Sequence, residues 1–274
     1  LAGIPHVINV FAGLGYAYTS EGLKARLLRL FLGCGLKAAF MHAPSIAVFQ
    51  NEEDCAQLTR DRIVKKSQTR VIRGMGVDID RFKPTVDRDR EPIVLLACRM
   101  LWDKGVGEFV EAARLLSRRK LNARFVLAGG CDQDNPASIM PKQLHQWQEE
   151  GVVEWWGHRH DMPTVLGEAA LVVLPSYREG LPVSLLEAAA CGKAIIATDV
   201  PGCREVVRHR VNGLLVPPRN AVALADAVAM LLENEELRCE LGRRGREIAV
   251  KEFSAAAVTG QTLALYRELL HSCS

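Results

Sequence analysis

LVVLPSYREGLPVSLLEAAACGKAIIATD, residues 171–199, decides how this chain is read. It opens and closes on short, continuously apolar runs, LVVLPS and AIIATD, with a sharp loop and a short helical stretch between them. Runs of that kind suit strands covered on both faces, and so a parallel sheet with helical crossovers. The loop carries Glu179, Gly180 and Leu181 into Pro182, which fits the first position of a helix because its missing N–H would be unpaired there anyway. The next amides, Val183 and Ser184, are then free donors at a positive helix end, a ready anion site. Glu179 stands at the mouth of that site and Glu187 about one turn further in. A carboxylate accepts hydrogen bonds from a vicinal diol such as ribose or a sugar. Phosphate at the helix start with a carboxylate on either side describes a sugar nucleotide. Taken alone, the two glutamates read as an ordinary helix residue and a solvated loop charge.

The pattern extends in both directions. Further strands are expected at residues 93–99, 123–129, 152–157 and 213–218, separated by helical stretches. In such sheets ligands bind beyond the carboxyl ends of the strands. Arg99 ends the first of them and Lys104 follows before Gly105 opens a helix, so two cations project from that edge. Fixed cations and helix amides can stabilise a departing diphosphate with no metal strictly required. Read without that placement, they are two surface charges.

Upstream, HVINVF, SIAVFQ and TRVIRG read as strands and residues 21–33 as a helix, with Asn51 as the N-cap of another whose first turn holds Glu52, Glu53 and Asp54. This makes residues 1–76 about half of a doubly wound domain. Residues 77–92 read as a linker, 93–252 as a complete Rossmann-like domain, and 253–274 as a C-terminal helix expected to pack back on the first domain. The chain opens on Leu1, close to a strand, and an upstream piece is expected.

Length and composition, 274 residues with 49% hydrophobic and 24% charged, are those of an ordinary globular protein. No apolar run approaches the roughly 18 residues of a membrane span, and no secretory signal opens the chain. The eight cysteines form no C-x-x-C pair, which argues for reduced thiols in a cytosolic protein. The net charge of +3 is uneven: residues 1–90 hold 14 Lys and Arg against 9 Asp and Glu. Much of that excess, Lys24, Arg26, Arg29 and Lys37, lies on or beside a helix rich in Leu and Phe. Residues 21–37 therefore suit peripheral contact with anionic lipid headgroups, or equally a crossover helix with solvated cations. The basic residues lack interleaved aromatics, which disfavours nucleic acid. GLGYAY, GMGVDI and GVGEFV each lack the third glycine of a dinucleotide site, and His158 and His160 alone come near metal-ligand spacing, so no cofactor and no metal are expected.

ACRMLWDKG, FVLAGG, VVEWWGHRHDMP, LPSYREGLPVSLLEAAACGKAIIATDVPGCREVV and NGLLVPP together resemble the family-four retaining glycosyltransferases, which have the α/β GT-B fold of two doubly wound Rossmann-like domains. The likeness covers essentially all of residues 70–270, leaving the first domain incomplete. AGLGY and WWGHRHDMP look most like members that assemble bacterial capsule, O-antigen and lipid-linked oligosaccharide. The resemblance implies that Arg99 and Lys104 grip the donor diphosphate and Glu187 holds the ribose hydroxyls. It implies that Glu179 contacts the transferred sugar or its phosphate, with the Gly180 and Leu181 backbone lining that pocket, and that Arg159 lies near the nucleobase. It also implies a UDP-sugar carrying a hexose or N-acetylhexosamine, a polyprenyl-linked or glycan acceptor, and a cytoplasmic enzyme at the inner face of the membrane. The sequence departs from the pattern at Ala12, where many relatives carry a histidine. The alternatives are a non-catalytic nucleotide-sugar-binding fragment and a GT-B sugar-nucleotide epimerase.

Overall fold

The computed structural model describes residues 6–14, 18, 22–42, 45–85 and 91–271. In chain order its elements are β1 (Val7–Phe11), α1 (Leu23–His42), β2 (Ser45–Phe49), α2 (Glu52–Arg60), β3 (Thr69–Val71), β4 (Ile93–Ala97), α3 (Val106–Arg118), β5 (Arg124–Ala128), α4 (Pro141–Glu149), β6 (Glu154–Trp155), α5 (Met162–Glu168), β7 (Leu171–Leu174), α6 (Val183–Ala190), β8 (Ala194–Thr198), α7 (Pro201–Val206), β9 (Gly213–Val216), α8 (Ala221–Glu233), α9 (Glu235–Glu252) and α10 (Ala255–His271). They fall into two compact units. The first takes residues 1–76, 179–181 and 255–274; the second takes 77–178 and 182–254.

The first unit is built on three parallel strands in the order β1-β2-β3. Successive side chains of β2 point to opposite faces, as the strand period requires. Ala47 and Phe49 join Phe40, Leu58, Ile63 and Val64 in one cluster, and Val48 joins Ile72, Val258 and Leu265 in the other. The second cluster is closed by α10, which belongs to this unit. The N-cap reading of Asn51 holds: its side chain accepts the Asp54 N–H at 2.7 Å. Helix α1 runs past the expected end at Gly33 to His42. The extra turns persist because Leu36 and Phe40, one turn apart, pack into the first cluster. Glu21, the expected first residue of that helix, and the Lys24 side chain lie outside the described residues.

The second unit is a six-stranded parallel sheet in the order β6-β5-β4-β7-β8-β9. Strands β4, β7 and β8 are buried along their whole length, which accounts for their unbroken apolar sequence. Strand β6 is shorter than the six residues expected, pairing only through Glu154 and Trp155 at the sheet edge. Within residues 77–85, Val77 and Phe82 are buried, and Arg246 of α9 donates to the carbonyls of Ile79 (3.0 Å), Phe82 (2.8 Å) and Ala190 (2.7 Å). One guanidinium thus fastens that stretch to the end of α6.

Candidate functional site

The order of the second sheet sets β4, its first strand in the chain, beside β7, its fourth. Crossovers run one way from β4 and the other way from β7, so the two strand ends border the switch point where such sheets take ligands. The chain around it is drawn close. Gly105, at φ 73°, precedes α3, and a Cβ there would stand 2.1 Å from the Pro175 carbonyl oxygen just after β7. Only glycine allows both the left-handed backbone and that approach.

Arg99 lies two residues beyond β4, exposed, with Nη1 2.6 Å from Asp132 Oδ2. Its segment is laced to the loop after β5. Met100 N–H donates to Gly130 carbonyl (3.0 Å), Trp102 N–H to Ala137 carbonyl (2.9 Å) and Ile139 N–H to Met100 carbonyl (2.9 Å). Lys104 closes a single 3₁₀ turn, Trp102–Lys104, that delivers it to the start of α3.

Across the switch point, Pro182 is the N-cap of α6 rather than its first helical residue, and Val183 begins the helix. The helix bonds to the Pro182 carbonyl start with the Leu185 N–H, which leaves Val183 and Ser184 ahead of them, and among the described residues no side chain caps the end. The one-residue shift still leaves the Val183 and Ser184 amides at the start of the helix. Glu187 is half-buried on the same helix. Burial pushes its carboxyl above the ordinary range, and the positive charge of Arg81 works against that rise. Among the described residues none hydrogen-bonds the Glu187 carboxylate. A half-buried acceptor with no donor of its own is placed to take one from a ligand.

Glu179, Gly180 and Leu181 group with the first unit, whereas Arg99, Lys104 and Glu187 group with the second. Within the first unit Asn51, almost fully buried, donates from Nδ2 to the Gly180 carbonyl at 3.0 Å. The Ala12 carbonyl oxygen would lie 1.8 Å from a Cβ at residue 180, so the backbones meet where only glycine fits. The position where many relatives carry a histidine therefore contributes its main chain here. Arg159 is engaged within its own loop: it grips Asp161 through two bonds of 2.8 and 2.6 Å and lies 5.9 Å from the Trp156 ring centroid.

Three participants escaped the sequence reading. Asp132 sits in a polar loop with no motif to mark it. Arg81 stood in what read as a linker. Tyr177 lay inside the quoted stretch, but its partners Glu108 and Arg219 are 69 and 42 positions away. Among the described residues no helix is long and apolar enough to cross a membrane.

Over residues 78–248 the sequence matches the family described as glycosyl transferases group 1. The chain is 35% identical to the N,N'-diacetylbacillosaminyl-diphospho-undecaprenol alpha-1,3-N-acetylgalactosaminyltransferase of Campylobacter jejuni, over 98% of this chain and 72% of that protein. It is 31% identical to the alpha-D-kanosaminyltransferase of Streptomyces kanamyceticus, over 66% of this chain and 47% of that one. Of solved structures, sucrose-phosphate synthase from Thermosynechococcus elongatus matches with a TM-score of 0.81 at 27% identity, over 97% of this chain and 68% of that one. The α/β GT-B fold expected from the sequence is borne out.

Proposed function

The chain belongs to the glycosyl transferases group 1 family, and we propose that it transfers a hexosyl or N-acetylhexosaminyl group from a UDP-sugar to a polyprenyl-linked or glycan acceptor, with retention of configuration. One observation carries the donor half of this reading: the half-buried Glu187 carboxylate, without a hydrogen-bond donor among the described residues, on the helix whose N-terminus follows β7. In this reading Glu187 accepts the ribose hydroxyls. The Val183 and Ser184 amides, with Arg99 and Lys104 from the far side of the switch point, take the diphosphate. Charge builds on that diphosphate as the glycosidic bond breaks, and fixed donors that need no rearrangement stabilise it most. Glu179, with the Gly180 and Leu181 backbone, faces the sugar. The leaving phosphate helps deprotonate the acceptor hydroxyl on the same face, which preserves the anomeric configuration. Protein cations serve this leaving group without a metal, so transfer persists in a chelator.

The acceptor half is supported by the Campylobacter relative, whose name specifies an undecaprenol-linked substrate. Helix α1 adds a physical reason for such a substrate. Leu27, Leu30 and Phe31 are exposed at 51%, 63% and 74%, and Arg26 and Lys37 are exposed on the same helix. Apolar side chains among cations suit an anionic membrane surface, with the enzyme docked at its cytoplasmic face.

The test is a panel of UDP-, GDP- and ADP-sugars incubated with the protein and lipid-linked acceptors, with products resolved by mass and anomeric coupling. A UDP-sugar consumed only with acceptor, giving an α-product from an α-donor, is the expected result. Turnover without acceptor would instead indicate an epimerase, and UDP-sugar binding with no turnover a binding fragment. Sedimentation with vesicles containing anionic lipid, against neutral vesicles, tests the docking.

A further inference from the structure

Tyr177 is held on three sides within the second unit. Its N–H donates to the Asp103 carbonyl at 2.9 Å. Its hydroxyl donates to Glu108 Oε1 at 2.7 Å. The Arg219 guanidinium lies over its ring, 4.3 Å from the centroid. The partners come from the turn after β4, the first turn of α3 and the loop between β9 and α8. Burial, reinforced by the Glu108 carboxylate, raises the Tyr177 phenol to about 12, so it stays neutral and remains a donor at working pH. Arg219 holds a left-handed backbone at φ 59°, a conformation disfavoured for a residue with a Cβ. The stack on the ring is a contact that offsets this strain.

We propose that Tyr177 is a positioning residue for sugar transfer: clamped by Asp103, Glu108 and Arg219, it fixes the point at which the loop bearing Glu179 leaves β7 and enters α6. Tyr177 stands two positions before Glu179, so the clamp sets the start of the sugar-facing segment. Tyr177 makes no contact with substrate in this scheme and acts through Glu179. The proposal rests on the glycosyltransferase reading above. Displacing a reacting group by about 1 Å can cost as much as about a hundredfold in rate, so a loosened clamp shows first in turnover.

Three variants test it in the full chain. Tyr177→Phe removes the hydroxyl and keeps the ring. Glu108→Leu removes the acceptor. Arg219→Gly removes the cation while suiting the left-handed backbone, so loss of activity there is not confounded by unfolding. UDP affinity is read by calorimetry, kcat and KM with the donor sugar found in the panel, and amide exchange over residues 176–186 by mass spectrometry. The expected result for each variant is kcat lowered about tenfold with UDP affinity within about twofold of wild type. Exchange over 176–186 accelerates, and Tyr177→Phe combined with Glu108→Leu is no worse than either alone. Unchanged kcat and unchanged exchange would overturn the proposal, as would UDP affinity falling in step with kcat, which would mean that Tyr177 or Arg219 touches the nucleotide itself. The exchange arm needs no ligand. Failure of the wild type to bind UDP would therefore count against the functional reading, while the clamp is judged on its own.

Discussion

Arg99 Nη1 lies 2.6 Å from Asp132 Oδ2, so the first cation of the proposed diphosphate site is already paired. The pair is largely exposed on the arginine side, and exposed ion pairs contribute only about 0–1 kcal/mol. A diphosphate must nonetheless compete with this carboxylate and sit near its negative charge. Asp132→Asn should tighten UDP binding by about twofold to fivefold at low salt, with the gain shrinking as salt rises. Calorimetry at two ionic strengths checks this. Weaker binding in the variant would mean that Asp132 holds Arg99 in its binding pose instead.

Glu187 gives a prediction with opposite signs for stability and binding. Burial raises its folded-state carboxyl pKa above the unfolded value of about 4.3. The folded state therefore binds the proton more tightly. Its contribution favours folding below the unfolded value and is lost as pH rises through the folded pKa. Glu187→Gln should accordingly raise the melting temperature of the ligand-free protein near neutral pH, with the gain vanishing in acid, and should weaken UDP binding at the same time. Thermal scans from about pH 4 to pH 8 read the first effect. A variant less stable at every pH would show that the carboxylate is satisfied by the protein rather than kept for a ligand.

Gly180→Ala places a Cβ 1.8 Å from the Ala12 carbonyl oxygen, and both sides of that contact are main chain. Neither can rotate away, so the loop must move. The expected cost is about 1–3 kcal/mol of stability in the first unit and a loss of transfer activity. Denaturant unfolding together with a kinetic assay checks both. Wild-type values in the two measurements would refute the close approach.

Arg246→Ala strips one donor group from three carbonyls, those of Ile79, Phe82 and Ala190. Loss of such a half-buried network should cost about 3 kcal/mol and expose residues 77–85 to proteolysis. Arg246→Lys, which cannot span all three, should recover only part of it.

The sheet of the second unit was legible because its strands are buried on both faces, and Val94, Val172 and Ile195 announce that by an unbroken apolar sequence. Helix ends were less so. A glycine at 33 resembles a stop until Leu36 and Phe40 are seen to pack beyond it. The site was readable where its residues lie close in sequence, as do Glu179, Pro182 and Glu187. It was unreadable where partners converge from distant loops. Nothing local in residues 131–138 marks Asp132 as the counter-ion of Arg99, and nothing near Arg219 shows that its guanidinium lies over Tyr177.

The central claim, that Glu187 is the ribose acceptor of a nucleotide site, is tested most directly by titrating UDP into the wild-type protein and the Glu187→Ala variant by calorimetry, with circular dichroism to confirm the fold. Loss of hydrogen bonds to a charged acceptor is worth about 1.5–3 kcal/mol, so the variant should bind roughly tenfold to a hundredfold more weakly with an unaltered spectrum. Equal affinity in the two proteins would contradict the account.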